Sequence, residues 1–188
     1  VGFHEQGRPG LRAANGLSGW AGCGRRGDRA GARNGKLGEA TLCAELTVVQ
    51  SGRAVAVSIS AEKGVAKANV QSALAVEGHG LEGDAHAGAW HRQVSLLALE
   101  SIAKMIDKGA EVGPGSFAEN ITTEGVDFSQ VQVGDQVRVG EAVLEVTQLG
   151  KECHDRCAIF QQVGDCVMPR EGVFARVLRG ARIRVGDR

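Results

Sequence analysis

One cysteine set among charges, Cys153 in Lys151-Glu152-Cys153-His154-Asp155-Arg156-Cys157, is the strongest candidate for chemistry in this chain. Positive neighbours favour the thiolate, the nucleophilic and metal-binding form of a cysteine. Lys151, His154 and Arg156 act in that direction, and Glu152 and Asp155 oppose them. Zinc is a weak reading, because the usual knuckle is Cys-x2-Cys, whereas here Cys157 follows Cys153 after three residues and Cys166 stands nine further on. Cys157 and Cys166 lie in apolar surroundings and are expected to be buried packing thiols. The five cysteines of the chain are expected to be free thiols, with a transient Cys153–Cys157 disulfide as the alternative.

Three further segments concentrate polar chemistry. Gly83-Asp84-Ala85-His86-Ala87-Gly88, followed by His91-Arg92-Gln93, joins permissive glycines to an acceptor, a titratable ring and an anion-pairing fork. Asp84-x-His86 is also half of a metal site, without an obvious second half. In Phe117-Ala118-Glu119-Asn120-Ile121-Thr122, read as a strand, Glu119 and Asn120 must point to opposite faces. In Met168-Pro169-Arg170-Glu171-Gly172, a tight connection, Arg170 either anchors an anion or pairs with Glu171.

The elements that must hold these segments are mostly strands. Arg53–Ile59 alternates and is rich in valine, and Ala73–Val76 and Gln93–Leu97 read as strands, the latter buried. Leu99, Ile102, Ala103 and Ile106 recur at helical spacing, with Gly109 as the stop, which predicts the main helix. Strands are predicted again at Phe117–Thr122, Gln136–Val139, Ala142–Gln148, Val173–Leu178 and Arg182–Val185. Gly140-Glu141 suits a two-residue hairpin, and Ala158–Val163 a short helix. Val133-Gly134-Asp135 and Val185-Gly186-Asp187 are read as shared turn chemistry, not as a repeat. Many short strands with few helices predict a mainly β, α+β domain with a barrel-like sheet.

Bulk composition bounds the rest. A length of 188 residues suits one domain, and aromatic residues make up only 4%, so the core must be aliphatic. Formal net charge is zero, which argues against nucleic acid as the partner. No apolar run reaches the roughly 18–20 residues of a membrane span. Without a signal-peptide pattern at the N-terminus, the expected compartment is the cytoplasm. Residues 1–44 are crowded with Gly, Arg and Ala without helical or strand period, and are expected to be a disordered extension before a domain at 45–188.

Taken in order, Gly78-His-Gly-Leu-Glu-Gly-Asp-Ala-His-Ala-Gly88, Arg92-Gln-Val-Ser-Leu-Leu97, Phe117-Ala-Glu-Asn-Ile121, Leu144-Glu-Val-Thr147 and Cys153 resemble the MOSC domain, named for the C-terminal domain of molybdenum cofactor sulfurases. The resemblance covers about residues 45–188. It implies a distorted β-barrel with one main helix and short helices, and a cleft for the molybdenum cofactor, a phosphate-bearing pterin dithiolene (molybdopterin). Cys153 matches the family cysteine, which either carries sulfur as a persulfide or ligates molybdenum; both suit a soft nucleophilic thiolate. By resemblance, Lys63, Lys67, Arg92 and Arg170 become candidates for the cofactor's phosphate and pterin. Asn120 becomes a candidate for the heterocycle edge, and Asp84 and His86 are expected to shape the cleft.

The resemblance implies cofactor maturation or delivery, with sulfur supplied by a cysteine desulfurase or other donor and passed to a molybdoenzyme acceptor. Glu152 stands where reductases of N-hydroxylated compounds in the family often have proline, and no desulfurase pattern is present, which favours a carrier. The alternatives are a molybdenum-dependent reductase of N-hydroxylated compounds and a non-catalytic β-barrel binding module. Whether the chain is an enzyme, a sulfur transferase or an oxidoreductase, is left open.

Overall fold

The computed structural model describes residues 50–151, 153 and 157–188. The expected extension over residues 1–44 lies outside them, as do Glu152, His154, Asp155 and Arg156. In chain order the elements are β1 (Arg53–Ile59), β2 (Ala68–Val70), β3 (Ser72–Val76), β4 (Gly80–Leu81), β5 (Val94–Ala98), α1 (Leu99–Ile106) and β6 (Ile121–Glu124). There follow β7 (Gln136–Val139), β8 (Ala142–Leu149), α2 (Ala158–Val163), α3 (Met168–Glu171), β9 (Val173–Arg179) and β10 (Ala181–Arg184). The domain is mainly β with few helices, as the strand count in the sequence predicts.

Seven strands form one sheet in the order β2-β1-β6-β5-β9-β8-β7, and β10-β3-β4 form a second. The expected distorted barrel is not confirmed: among the described residues neither sheet closes on itself. Closure would require the two edge strands to pair. Instead β2 and β7 remain edges, and the small sheet covers the inner face. Ala73, Ala75, Leu81 and Ile183 of the small sheet share one core with Val57, Leu96, Leu144 and Val177 of the large one. A β-bulge between Ala54 and Ala56 in β1 lets both Ala54 and Val57 face this core, three residues apart.

The other face of the large sheet is covered by the helices. Leu97 and Phe174 pack there with Ile102 and Met105 of α1, Ile159 of α2 and Met168 of α3. Strand β5 is therefore buried at every position, which explains why it is apolar apart from Ser95. It pairs with β6 in parallel, and α1 lies in the crossover such pairing needs. The buried stripe of α1 is Ile102 and Met105, while Ile106, read from spacing as part of it, is 50% exposed. The Val139–Ala142 hairpin has the expected two-residue turn with Gly140 at positive φ. The two Val-Gly-Asp copies also behave as shared turn chemistry: Asp135 accepts from the Gln132 N–H and Asp187 from the Arg184 N–H, both at 2.8 Å.

Strand β6 begins at Ile121, not at Phe117. The residues before it turn, with Ala118 at φ +61°, a left-handed conformation rare for a residue with a Cβ. Both Glu119 and Asn120 are fully buried, so the opposite-face expectation fails. The Glu119 carboxylate closes the turn by accepting from the Gly115 N–H at 2.5 Å, the Phe117 N–H at 3.0 Å and the Thr122 hydroxyl at 3.0 Å. Burial raises its pKa, against the pull of those donors.

Candidate functional site

The loop between β4 and β5 is organised around a buried ion pair. The Lys67 ammonium donates to both Asp84 carboxylate oxygens, at 2.7 and 2.6 Å, and neither side chain is more than 1% exposed. Asp84 also accepts from the backbone N–H of Ser60 at 3.1 Å and of His86 at 2.9 Å, and from the Asn120 amide at 3.0 Å. Burial alone would raise the Asp84 pKa, but hydrogen bonds from His86 and Lys67 outweigh it and hold the carboxyl well below its usual range. Burial also draws the Lys67 ammonium below its ordinary value, while its hydrogen bond and charge pairing with Asp84 hold it up. Asn120 is equally engaged. Its second amide hydrogen bond goes to the Ser58 carbonyl at 3.1 Å, and its oxygen accepts from the Ser95 N–H at 3.1 Å and hydroxyl at 3.0 Å. Lys67, Asp84 and Asn120 thus tie β1, the loop and the start of β6 together.

Above this network sits Trp90, whose indole N–H donates to the His86 carbonyl at 2.6 Å. The His86 ring stacks near it, 6.4 Å between centroids. Two cations approach the same indole: the Arg92 guanidinium at 5.0 Å and the Lys63 ammonium at 5.8 Å from the ring centre. Arg92 also lies 5.7 Å from the Phe174 ring, and its buried Nε has no hydrogen-bond partner. No carboxylate among the described residues forms a salt bridge with Arg92 or Lys63. A guanidinium aligned by two rings, with an N–H unused, is prepared for an anion.

Cys153 is exposed just past the end of β8, its Sγ 4.0 Å from the Lys151 carbonyl oxygen. The His91-Arg92 segment is tied to that strand end: Thr147 donates to the His91 carbonyl, His91 Nε2 lies 3.2 Å from Gln148 Oε1, and the Gln148 amide donates to the Gly150 carbonyl at 2.7 Å. Gly150 sets the exit direction. Its φ is +69°, and a Cβ there would stand 2.3 Å from the Pro169 carbonyl oxygen. Gly150→Ala is expected to destabilise the fold by more than about 1 kcal/mol, read as a lower urea midpoint at unchanged m-value. Of the other thiols, Cys166 is buried as expected, but Cys157 is exposed, contrary to the packing role its apolar neighbours suggested. Burial pushes the Cys166 thiol pKa up, and the charges of Cys157 and Cys153 add to that effect.

Arg170 stands apart from this cluster. It pairs with Asp165 at 3.0 Å, not with Glu171, whose carboxylate instead accepts from the Ser101 hydroxyl and Lys104. Arg170 borders a cavity of about 620 Å³ with Lys104, Phe128 and Leu149, whereas Trp90 and His91 border a second, of about 490 Å³, with Thr147 and Arg176. The second adjoins the cation–aromatic cluster.

Lys63, Lys67, Asp84, His86, Arg92 and Asn120 are therefore joined through successive contacts, and Arg170 is not. The residue that sequence reasoning missed is Trp90, the hub for His86, Arg92 and Lys63. Its signal was available: one of only two tryptophans in the chain stands inside the Gly/His segment.

A protein-family model described as the MOSC domain matches residues 83–188, more than half of the chain. Sequence comparison with curated proteins finds no match. Among solved structures, the YuaD protein from Bacillus subtilis is similar at 16% identity and a TM-score of 0.61, covering 72% of this chain and 92% of that one. YiiM from Geobacillus stearothermophilus is similar at 19% identity and a TM-score of 0.53, covering 73% of each chain. At these identities the likeness shows the fold. With the match running from the Asp84 loop through Cys153 to the last strand, the chain belongs to the MOSC domain family.

Proposed function

We propose that this protein binds molybdenum cofactor and carries sulfur on Cys153 for cofactor maturation or delivery. The family is generally linked to molybdenum cofactor binding or sulfurase-related function. The observation that carries the reading for this chain is the unsatisfied Arg92 Nε, held beside Trp90, with the adjacent His91 ring meeting Gln148 at the strand end that presents Cys153. The residues fit the group: Arg92 and Lys63 offer uncompensated positive charge to a phosphate, and Trp90 offers an aromatic wall. When bound, the cofactor supplies a molybdenum centre with sulfur ligation. Lys67, Asp84 and Asn120 act by holding the loop that carries His86 and Trp90, since their polar groups are already used inside the protein. Arg170, paired with Asp165, is not needed for this reading.

The chemistry left to the chain itself is that of an exposed thiol. Cys153 thiolate attacks the sulfane sulfur of a donor persulfide, retains that sulfur as its own persulfide and releases the donor thiolate. The expected donor is a cysteine desulfurase and the expected acceptor a molybdoenzyme. Protein purified from a molybdenum-replete host is expected to hold molybdenum and pterin in equal amounts. Arg92→Ala is expected to lose at least about tenfold in pterin retention, as removal of a charge-assisted contact would. Absence of metal and pterin, together with no persulfide on Cys153 after incubation with a desulfurase, would overturn the proposal.

A further inference from the structure

The unpartnered Arg92 Nε is sealed from solvent. A ligand oxygen can reach it only after a neighbouring element moves. Two of its neighbours are fixed: Trp90 is held by its indole hydrogen bond to the His86 carbonyl at 2.6 Å, and Phe174 is packed in the core beneath the helices. The loop that brings Lys63 to the same indole is not held in this way. Every residue from Ala61 to Ala66 is exposed, and no hydrogen bond with a described residue holds Lys63, Gly64, Val65 or Ala66. Gly64 has φ +79°, and a Cβ there would meet nothing within 4 Å, so this stretch stands clear of the surface. Exposed backbone with few contacts marks the part of a fold that opens most easily. The two ends of the loop, in contrast, are clamped to one carboxylate. The Ser60 N–H donates to Asp84 Oδ2 at 3.1 Å, and the Ser60 carbonyl accepts from the Ala85 N–H at 2.7 Å. Lys67 holds both Asp84 oxygens through its ammonium, and its N–H donates to the Gly115 carbonyl at 2.9 Å. Fixed ends and a free middle are the construction of a lid.

We propose that residues 61–66 form a lid that opens to admit a phosphate group to Arg92 and closes on that anion through Lys63. The lid rests on the cofactor-binding reading of this cluster and adds how its site is opened and shut. Without an anion, Lys63 has the indole face as its contact, 5.8 Å from the ring centre. A phosphate beside Arg92 offers it a charge-assisted contact instead, which is the stronger of the two. The anion therefore favours the closed form through an interaction that the open form lacks. Asp84 serves lid and floor alike, because the same carboxylate holds both ends of the lid and accepts from the N–H of His86 in the loop that carries Trp90. Opening thus moves the middle of the lid and leaves Trp90 and Arg92 in place.

Limited proteolysis of the native full chain tests the lid, with inorganic pyrophosphate as the probe and calorimetry as the separate measure of its binding. Trypsin cuts the Lys63–Gly64 bond inside the lid, and cutting after Lys108, at the end of α1, is the reference. Saturating pyrophosphate is expected to slow the Lys63–Gly64 cut at least about tenfold, with the Lys108 cut unchanged. Arg92→Ala is expected to lose both the binding and the protection. Lys63→Gln, cut instead after Glu62 by a glutamate-specific protease, is expected to bind pyrophosphate more weakly and to gain no protection from it. Pyrophosphate that binds wild type while the Lys63–Gly64 cut keeps its rate would overturn the lid and leave the cofactor reading standing. Protection that persists in Lys63→Gln would overturn the closing role of Lys63. Failure of pyrophosphate to bind wild type would overturn the lid, and together with absence of pterin from the purified protein it would overturn the cofactor reading as well.

Discussion

Replacing Lys67 with methionine is expected to lower the unfolding free energy by about 3–5 kcal/mol, although the side chain is far from Cys153 in sequence. Methionine has similar length and packs well, so the cost does not come from a cavity. It comes from the Asp84 carboxylate, which is fully buried and would lose the ammonium that touches both of its oxygens. Its remaining donors, the Ser60 and His86 N–H groups and the Asn120 amide, are dipoles and cannot replace a full charge. Urea unfolding measures the loss directly. The double variant Lys67→Met with Asp84→Asn is expected to recover part of it, since no unpaired charge is then left inside. A Lys67→Met loss below about 1 kcal/mol would contradict the ion pair.

The same pair predicts a pH dependence with a definite sign. The Asp84 carboxyl is held below its ordinary value in the folded state, so the folded protein binds fewer protons than the unfolded chain as pH approaches about 4. The stability it contributes is fully present above that pH and is lost as pH falls toward the folded pKa. Wild-type stability should therefore drop on acidification from about pH 4 downward, and the slope should flatten in the double variant.

Cys153→Ser is the second large effect expected, and it falls on function only. Because Cys153 is exposed and its Sγ lies 4.0 Å from the Lys151 carbonyl oxygen, a weak contact, stability should change by no more than about 0.5 kcal/mol. Sulfur loading at position 153 should vanish, because a serine hydroxyl is neither a thiolate nor a partner for a sulfane sulfur. Pterin retention should persist if Arg92, Lys63 and Trp90 hold the cofactor, which separates binding from sulfur carriage. Mass spectrometry of the Glu152–Arg156 peptide and metal analysis on one sample read both. Undiminished sulfur transfer by Cys153→Ser would remove this residue from the chemistry.

Much of the fold was legible in the sequence because burial leaves a period. Ala142–Leu149 alternates because it lines the core with every second side chain, Arg53–Ile59 does so up to its bulge, and Val94–Ala98 is apolar apart from Ser95 because both of its faces are covered. Glycine turns were equally plain, since Gly134, Gly140 and Gly186 stand where φ is positive. Cys153 stood out by its residue type and charged surroundings. The family resemblance was carried by the order of short segments.

What only the tertiary structure decided is which polar residues are spent on the fold. Lys67, Arg92 and Arg170 are equivalent candidates as a list of cations, yet one is buried against Asp84, one is left with a free N–H beside Trp90, and one is paired with Asp165. The partner that distinguishes them lies 17 residues away for Lys67, and it reaches its place only through folding. Glu119 and Asn120 show the same limit, because a turn stabilised by the Glu119 carboxylate replaced the strand their neighbours suggested. Local pattern records whether a side chain is covered. Which distant group satisfies a buried charge is set by the packing of strands against one another: Asp84 meets Lys67 from 17 and Asn120 from 36 residues away, beyond any local pattern.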